Sequence, residues 1–243
     1  MKQGKFKIVE NIPLTEDVMK MVLSGDTSRI TSPGQFVNIR LEGFFLRRPI
    51  SVCDVEGDRL TIIYKIVGRG TKAMAEMTGG ELDLLTGLGN GYDTEPSGDM
   101  PLLIGGGAGV PPMYLLARRL MEQGKKPQVI LGFNTATEVF LEDEFRNLGA
   151  DVTVTTADGS YGIRGFVTDA MNREYSYFYA CGPQPMLKAV SDASKTGGQL
   201  SFEERMGCGF GACMGCSCET LYGSKRICKD GPVLRKEEII WQK

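Results

Sequence analysis

PLLIGGGAGVPPMYLLARRLMEQG, Pro101–Gly124, decides how the rest of the chain is read. Its first residues are an apolar run too short for a helix, followed by a cluster of glycines. Met113, Leu116, Leu120 and Met121 then recur at helical spacing until Gly124 ends the pattern. Strand, glycine turn, helix is the opening of a parallel α/β unit. The alternation continues downstream with strand PQVILGF, helix EVFLEDEFRNLG, strand DVTVTT, a short helical piece near FVTDAM, strand YSYFYACG and helix PMLKAVSDAS. Such alternation requires a parallel sheet covered by helices, so residues 98–198 are expected to form a doubly wound parallel-sheet domain that binds a nucleotide.

Upstream of Pro101 the rhythm differs. FKIVENI, MKMVLSG, GQFVNIRL, PISVCDV and RLTIIYKIV are short strands separated by Gly, Pro, Asp and Ser turns, which predicts a small antiparallel β-barrel over residues 1–97. From about Gln199 the chain turns rich in Gly and Cys with little apolar periodicity, and only GPVLRKEEIIWQK looks strand-like. Residues 199–243 are therefore expected to be a small tail wrapped round a metal site. The fold class is α/β plus all-β.

Composition narrows the function. At 243 residues, 42% hydrophobic and 24% charged, the chain is an ordinary globular one with room for two small domains. Its formal charge of −2 is spread without basic runs, which argues against nucleic acid or anionic lipid as a partner. No apolar stretch reaches the ~18 residues of a membrane span, and MKQGKFKIVENI lacks the apolar centre of a signal peptide, so the cytoplasm is the expected compartment. There is no histidine, which removes the side chain most used for proton transfer near neutral pH.

Five of the seven cysteines fall between Cys208 and Cys228, a pattern of metal binding rather than of a disulfide framework. Cys208, Cys213 and Cys216 stand in the order C-x4-C-x2-C, and Cys228 follows after eleven residues; this is the plant-type [2Fe-2S] spacing. Gly207, Gly209, Gly211 and Gly215 alternate with these ligands and allow the backbone to close round the sulfurs. Four cysteines also suffice for tetrahedral zinc, which would make the chain a zinc-stabilised, non-enzymatic binding module. Cys218 is off the spacing and reads as a small buried residue, and Cys53 as core.

Gly105, Gly106, Gly107 and Gly109 lie between a strand and a helix start, where a pyrophosphate can approach backbone N–H groups; close helix packing needs glycine there as well. Gly68, Gly70 and Thr71 open a second helix in the same way. Asn134–Glu138, after strand QVILGF, has no Arg or Lys for a 2′-phosphate, which favours NADH over NADPH.

Several of these segments resemble the ferredoxin reductase superfamily. Arg48, Pro49, Ile50 and Ser51 match its R-x-x-S signature, PGQFVNI its barrel, GLGNGY the loop that closes the barrel, and CGPQPM its CGP-x-PM loop. The resemblance implies that Arg48 binds the pyrophosphate of FAD and Ser51 sits near the reactive N5, with Tyr64, Ile66, Gly68, Gly70 and Thr71 completing that site. It further implies that Gly105, Gly106, Gly107, Gly109, Cys181, Gly182, Pro183 and Met186 hold NAD. With the four-cysteine tail added, the whole chain resembles the iron-sulfur flavoprotein subunit of class 1B dihydroorotate dehydrogenase. That implies an oxidoreductase subunit without catalytic side chains of its own. Electrons from an FMN-bearing catalytic subunit, which oxidises dihydroorotate to orotate in pyrimidine biosynthesis, would pass through the cluster and FAD to NAD. The implied assembly is a heterotetramer with two copies of each chain. Small subunits of NAD(P)H-dependent ferredoxin or sulfur reductases are similar.

Overall fold

The computed structural model describes residues 1–241. Six antiparallel strands close a barrel: β1 (Lys2–Pro13), β2 (Val18–Ser24), β3 (Phe36–Arg40), β4 (Arg48–Glu56), β5 (Arg59–Lys65) and β6 (Glu81–Leu88), in the order β1-β2-β5-β4-β3-β6 with β6 paired back to β1. Alternate residues such as Met19, Met21 and Leu23 of β2 point inward, as the period of two demands. Closure leaves no free edge. Helix α1 (Arg69–Ala75) follows β5.

The second layer is a seven-stranded sheet. β7 (Leu102–Gly106), β8 (Gln128–Phe133), β9 (Asp151–Thr156), β10 (Ile163–Arg164), β11 (Phe178–Cys181) and β12 (Gly198–Ser201) run parallel, in the order β10-β9-β8-β7-β11-β12. Strand parity sorts its core. Leu103, Val129, Leu131, Val154 and Tyr179 pack against Met113, Leu116 and Leu120 of helix α2 (Pro111–Glu122) and Phe145 of α3 (Glu142–Leu148). Leu102, Ile104, Ile130, Phe178 and Ala180 face Leu187 and Val190 of α4 (Gln184–Ala193) on the opposite side. Helices on both faces make the sheet doubly wound. Each fully buried Leu or Ile here contributes roughly 1.5–3 kcal/mol.

Several local expectations are refined. The helical piece near FVTDAM is a single 3₁₀ turn, Val167–Ala170. The helix over EVFLEDEFRNLG is confined to α3, because Leu141 at its start takes a left-handed φ of 63° that breaks continuity with the preceding turn. The expected division between residues 198 and 199 runs through β12, which the sheet takes whole. The tail then forms the hairpin β13 (Ser217–Thr220) and β14 (Gly223–Arg226) and returns as β15 (Val233–Arg235), antiparallel to β12 at the sheet edge. Asn90 of the GLGNGY loop grips that return: its Nδ2 donates to Val233 O at 2.7 Å, and its Oδ1 accepts from Val233 N at 3.1 Å. The loop that closes the barrel is thus also the clamp joining barrel, sheet and tail.

Candidate redox site

Successive residues of a strand face opposite ways, and β4 uses this to separate two arginines. Arg47, just before the strand, turns into the barrel wall, where Nη2 pairs with Asp83 Oδ1 at 2.7 Å and Nη1 donates to the carbonyls of Asn38 and Asp83. Arg48 turns the other way, stacks over the Phe44 ring at 5.0 Å and reaches across Gly70. A Cβ on Gly70 would overlap Arg48 Nε and stand 2.7 Å from Nη2. A cleft of about 1110 Å³ opens beside this guanidinium.

Arg48, Pro49, Ile50, Ser51, Tyr64 and Thr71 all line that cleft, so six residues expected to share a site do so. The hydroxyl of Thr71 accepts from the N–H groups of Val67 and Gly68 at 3.0 and 3.2 Å, which fixes the turn into α1. Tyr64 donates to Asn11 Oδ1 at 3.0 Å, and burial pushes its phenol up to about 12. Ile66 packs against the barrel core instead of lining the cleft, and Gly68 is an exposed turn residue. The opposite wall was not legible from sequence: Ala108 comes from the glycine loop, and Phe202, Glu203, Glu204 and Met206 come from the segment leading into the cysteines.

Past Lys65, Ala108 and Glu203 the cleft opens into a groove of about 690 Å³ lined by Gly106, Gly107, Gly109, Gly182 and Pro183. That groove shares Gly106, Gly107, Phe133, Asn134, Glu138 and Pro183 with a further volume of about 1040 Å³, whose wall includes Met186 and Phe166. The three volumes form one trough across the carboxyl ends of the parallel strands, the position where open α/β sheets take ligands. Gly105 and the Cys181 side chain lie behind this wall. A Cβ on Gly105 would stand 2.7 Å from Val110 Cα, and Cys181 is buried in the core, which pushes its thiol up. Gly105 lets the start of α2 approach β7. The outermost volume has no Lys or Arg on its wall; Glu138 stands there, held by Asn134 N and Nδ2 at 3.1 and 2.9 Å.

Glu203 is exposed at the mouth of the cleft, on the wall that the cleft shares with the groove.

The cysteine loop folds as its glycines allow. Gly209 and Gly211 take φ of 76° and 92°, and Met214 joins them at 61°. The loop is tied to the barrel by Asn38, whose Nδ2 donates to Cys208 O at 3.2 Å, and to the hairpin by Arg226, whose Nη1 donates to Gly211 O at 2.8 Å. Cys208 and Cys213 stand together, with Cys208 N donating to Cys213 Sγ at 3.5 Å and Ala212 N to Cys208 Sγ at 3.2 Å. Burial resists ionisation of Cys208, but backbone N–H groups of Phe210, Cys213 and Ala212 outweigh it and bring the thiol down to about 6. Cys216 and Cys228 form the other couple, with Cys228 N donating to Cys216 Sγ at 3.4 Å. Among the described residues no group of three or more Cys, Asp or Glu side chains is set to hold a metal ion. Two thiol couples, each with backbone N–H groups aimed at sulfur, are the donor set that two irons need. Cys218 lies in β13 opposite Lys225, partly buried. Cys53 is core.

A closed barrel with an arginine-walled cleft, a doubly wound sheet with a glycine-walled trough and a cysteine loop between them define the class of flavin- and nicotinamide-linked iron-sulfur oxidoreductases. Residues 203–240 match the family described as the iron-sulfur cluster binding domain of dihydroorotate dehydrogenase B, and residues 103–192 match the oxidoreductase NAD-binding domain. The chain is 42% identical to the electron transfer subunit of dihydroorotate dehydrogenase B (NAD(+)) from Shouchella clausii, over 98% of both chains. It is 43% identical to the subunit of the same name from Fusobacterium nucleatum, over 98% of this chain and 99% of that one. A solved structure of an NADH-dependent reduced ferredoxin-NADP oxidoreductase superposes with a TM-score of 0.88 at 31% identity, covering 97% of this chain and 90% of that one. The chain belongs to the family of electron transfer subunits of dihydroorotate dehydrogenase B.

Proposed function

We propose that this chain carries electrons between NAD and a catalytic subunit that oxidises dihydroorotate, through FAD in the cleft beside Arg48 and a [2Fe-2S] cluster on Cys208, Cys213, Cys216 and Cys228. One observation carries the reading: Met206, two residues ahead of Cys208, shares a cleft wall with Arg48, Ser51 and Ala108, which supports a flavin in that cleft beside the cysteine loop and the glycine loop. When bound, the flavin supplies conversion between two-electron hydride transfer and one-electron transfer. Everything else is the work of side chains. The Arg48 guanidinium, pre-positioned over Gly70, offers a charge-assisted contact to a pyrophosphate. Gly106, Gly107, Gly109, Gly182 and Pro183 keep the trough floor low enough for a dinucleotide, and Met186 closes its far wall. Glu138, on an outer wall that carries neither Lys nor Arg, disfavours a 2′-phosphate and so favours NAD.

The partner is inferred to be an FMN-bearing subunit, in an assembly of two copies of each chain. Support for docking at the cysteine loop comes from the apolar side chains around the exposed Cys213: Phe210, Met214, Leu221 and Tyr222 are 44% to 77% exposed. Free cysteines throughout suit a reducing cytoplasm. No described helix is long and apolar enough to cross a membrane.

The test is co-purification with the cognate catalytic subunit, followed by dihydroorotate-dependent NAD reduction and assay of flavin and iron. Colourless, zinc-loaded protein would sink the redox reading as a whole. Flavin and iron present without dihydroorotate-dependent reduction would leave the second reading, a reductase subunit exchanging electrons with ferredoxin, which the solved neighbour at 31% identity favours.

A further inference from the structure

One ion pair joins the strand that carries the flavin-side residues to the helix that follows the nucleotide loop. Arg118, on α2, donates through Nη2 to Asp54 Oδ1 and to Val55 O at 2.7 Å, and its Nη1 stands 3.7 Å from Glu56 Oε1. All three partners lie at the end of β4, whose start supplies Arg48, Pro49, Ile50 and Ser51 to the cleft. The helix begins just after Gly107–Gly109, which line the groove. The pair is largely withdrawn from water, with the Arg118 and Asp54 side chains 19% and 13% exposed, and Arg118 Nε is buried without a partner.

β4 is shaped for this contact. Its pairing with β5 slips between Val52 and Asp54. Val52 belongs to the barrel core and Val55 packs against that core, while Cys53 joins the cluster formed with α2 and Asp54 meets Arg118. Two successive residues thus face the helix, which regular alternation forbids and a bulge allows. Val18 and Ile63 of the barrel share the same cluster with Met113 and Leu116 of α2, and Leu115 belongs to the barrel core. Such apolar contact is non-directional, so it holds helix and barrel together without fixing how far one slides along the other. The planar fork of Arg118, set on one carboxylate and one backbone carbonyl, does fix it. A buried ion pair with an unpartnered donor is a weak stabiliser, which leaves alignment as its part. We propose that Arg118 is a positioning residue for hydride exchange, pinning α2 to the bulge of β4 so that the nucleotide loop stands in register with the flavin cleft. A hydride carries one proton and two electrons between nicotinamide and flavin in one step and tolerates little error. A slip of one helical residue is about 1.5 Å, and a misplacement of about 1 Å can cost about 10²-fold in rate.

This inference rests on FAD in the cleft beside Arg48 and NAD in the trough. The holoprotein is compared with the double variant Arg118→Met, Asp54→Leu and with Arg118→Lys. Both charges are removed together because taking one alone would strand the other. The double variant keeps its flavin, melts within about 4 °C of the parent and binds NADH with little loss. Rapid mixing with NADH shows flavin reduction slowed about 10- to 100-fold. The isotope effect with NADH deuterated at the transferred position rises, and the long-wavelength charge-transfer absorbance between nicotinamide and flavin fades. Arg118→Lys, which keeps the charge without the fork, falls between the two. Flavin reduction at the parent rate in the double variant overturns the proposal. A slowing matched by an equal loss of NADH affinity, or accompanied by loss of flavin, also overturns it and makes the pair a holding contact. Should the double variant fail to fold, the same split between rate and affinity is read in Arg118→Lys. Failure of the underlying reading shows itself separately, in a parent protein that holds no flavin or whose flavin NADH does not bleach.

Discussion

The guanidinium of Arg48 occupies the space in which a side chain on Gly70 would begin, with Nη2 2.7 Å and Cζ 2.8 Å from the position of that Cβ. The two residues come from different elements, β4 and α1, and neither makes sense alone. Gly70→Ala is a favourable change for the helix, by up to about 1 kcal/mol. The clashing atoms belong to the far end of a flexible side chain, so the fold accommodates the methyl by moving Arg48. Gly70→Ala is therefore expected to leave the apoprotein as stable or slightly more so while weakening FAD about 10- to 100-fold, the equivalent of one charged hydrogen bond. Flavin retention on gel filtration, set beside a thermal melt of the apoprotein, checks both halves; tight FAD in the alanine variant would remove Arg48 from the site.

Arg47 predicts the reverse behaviour. Burial works against the charge of Asp83, but hydrogen bonds from Arg47 and Gln3 outweigh it and hold the carboxyl below 3.8. A carboxyl lowered on folding contributes stability above its unfolded value and loses it as pH falls through the folded one. The increment is thus complete at neutral pH, begins to fall near 3.8 and is gone only below the lowered value of the folded state. Arg47→Ala should cost roughly 1–3 kcal/mol at pH 7 with flavin retained. The gap between its unfolding midpoint and the parent's should close as the pH is taken below the carboxylate range. A gap that stays constant with pH would show that the ion pair contributes nothing.

These two arginines also show how far the sequence could be read. A local signature brings Arg48 and Ser51 forward as candidates, and the barrel and parallel sheet were legible because their periods of two and 3.6 are local properties. What was not legible needs the third dimension. Glu203 and Met206 reach the cleft only because β12 joins the sheet and delivers the following segment beside Ala108. β12 itself, GQLS, is four residues with no alternation to betray it, and it becomes a strand through pairing with β11 and β15. Gly105 is expected at the nucleotide from its place in the strand-to-helix glycine loop and Cys181 from the CGP-x-PM resemblance; the close packing of Gly105 on Val110 and the burial of Cys181 are tertiary properties that neither local pattern contains.

The thiol couples separate iron from zinc. Cys213→Ser removes one member of the Cys208–Cys213 couple and should abolish the visible absorbance of the cluster, while FAD content and its bleaching by NADH persist. Cys218→Ser, in the β13–β14 hairpin, should keep iron at the parent level. Iron assay and visible spectra of the two variants decide the matter. Equal iron loss in both would move Cys218 into the ligand set, and unchanged iron in Cys213→Ser would dismiss Cys213 from it.

Gly107 and Gly109 lie two residues apart in the same loop and should fail in different ways. A Cβ on Gly109 would overlap the backbone carbonyl of Cys181 and stand 2.6 Å from Gly182 N. Both belong to rigid backbone at the end of β11, so α2 must move away from the sheet. An overpacked core costs roughly 1–3 kcal/mol, and Gly109→Ala is expected to lower the thermal midpoint by about 3–10 °C and to weaken NADH by deforming the groove. Gly107 has open space around it but a left-handed φ of 51°, so alanine costs only about 1–2 kcal/mol of backbone strain. Gly107 also lines both nucleotide volumes, and its new methyl would stand on their shared floor. Gly107→Ala should accordingly weaken NADH by more than its modest thermal shift suggests. Titration of NADH into both variants, alongside calorimetric melts, distinguishes the two effects. Undiminished NADH affinity in Gly107→Ala would mean that the dinucleotide does not lie on this loop, whatever happens to the stability of the other variant.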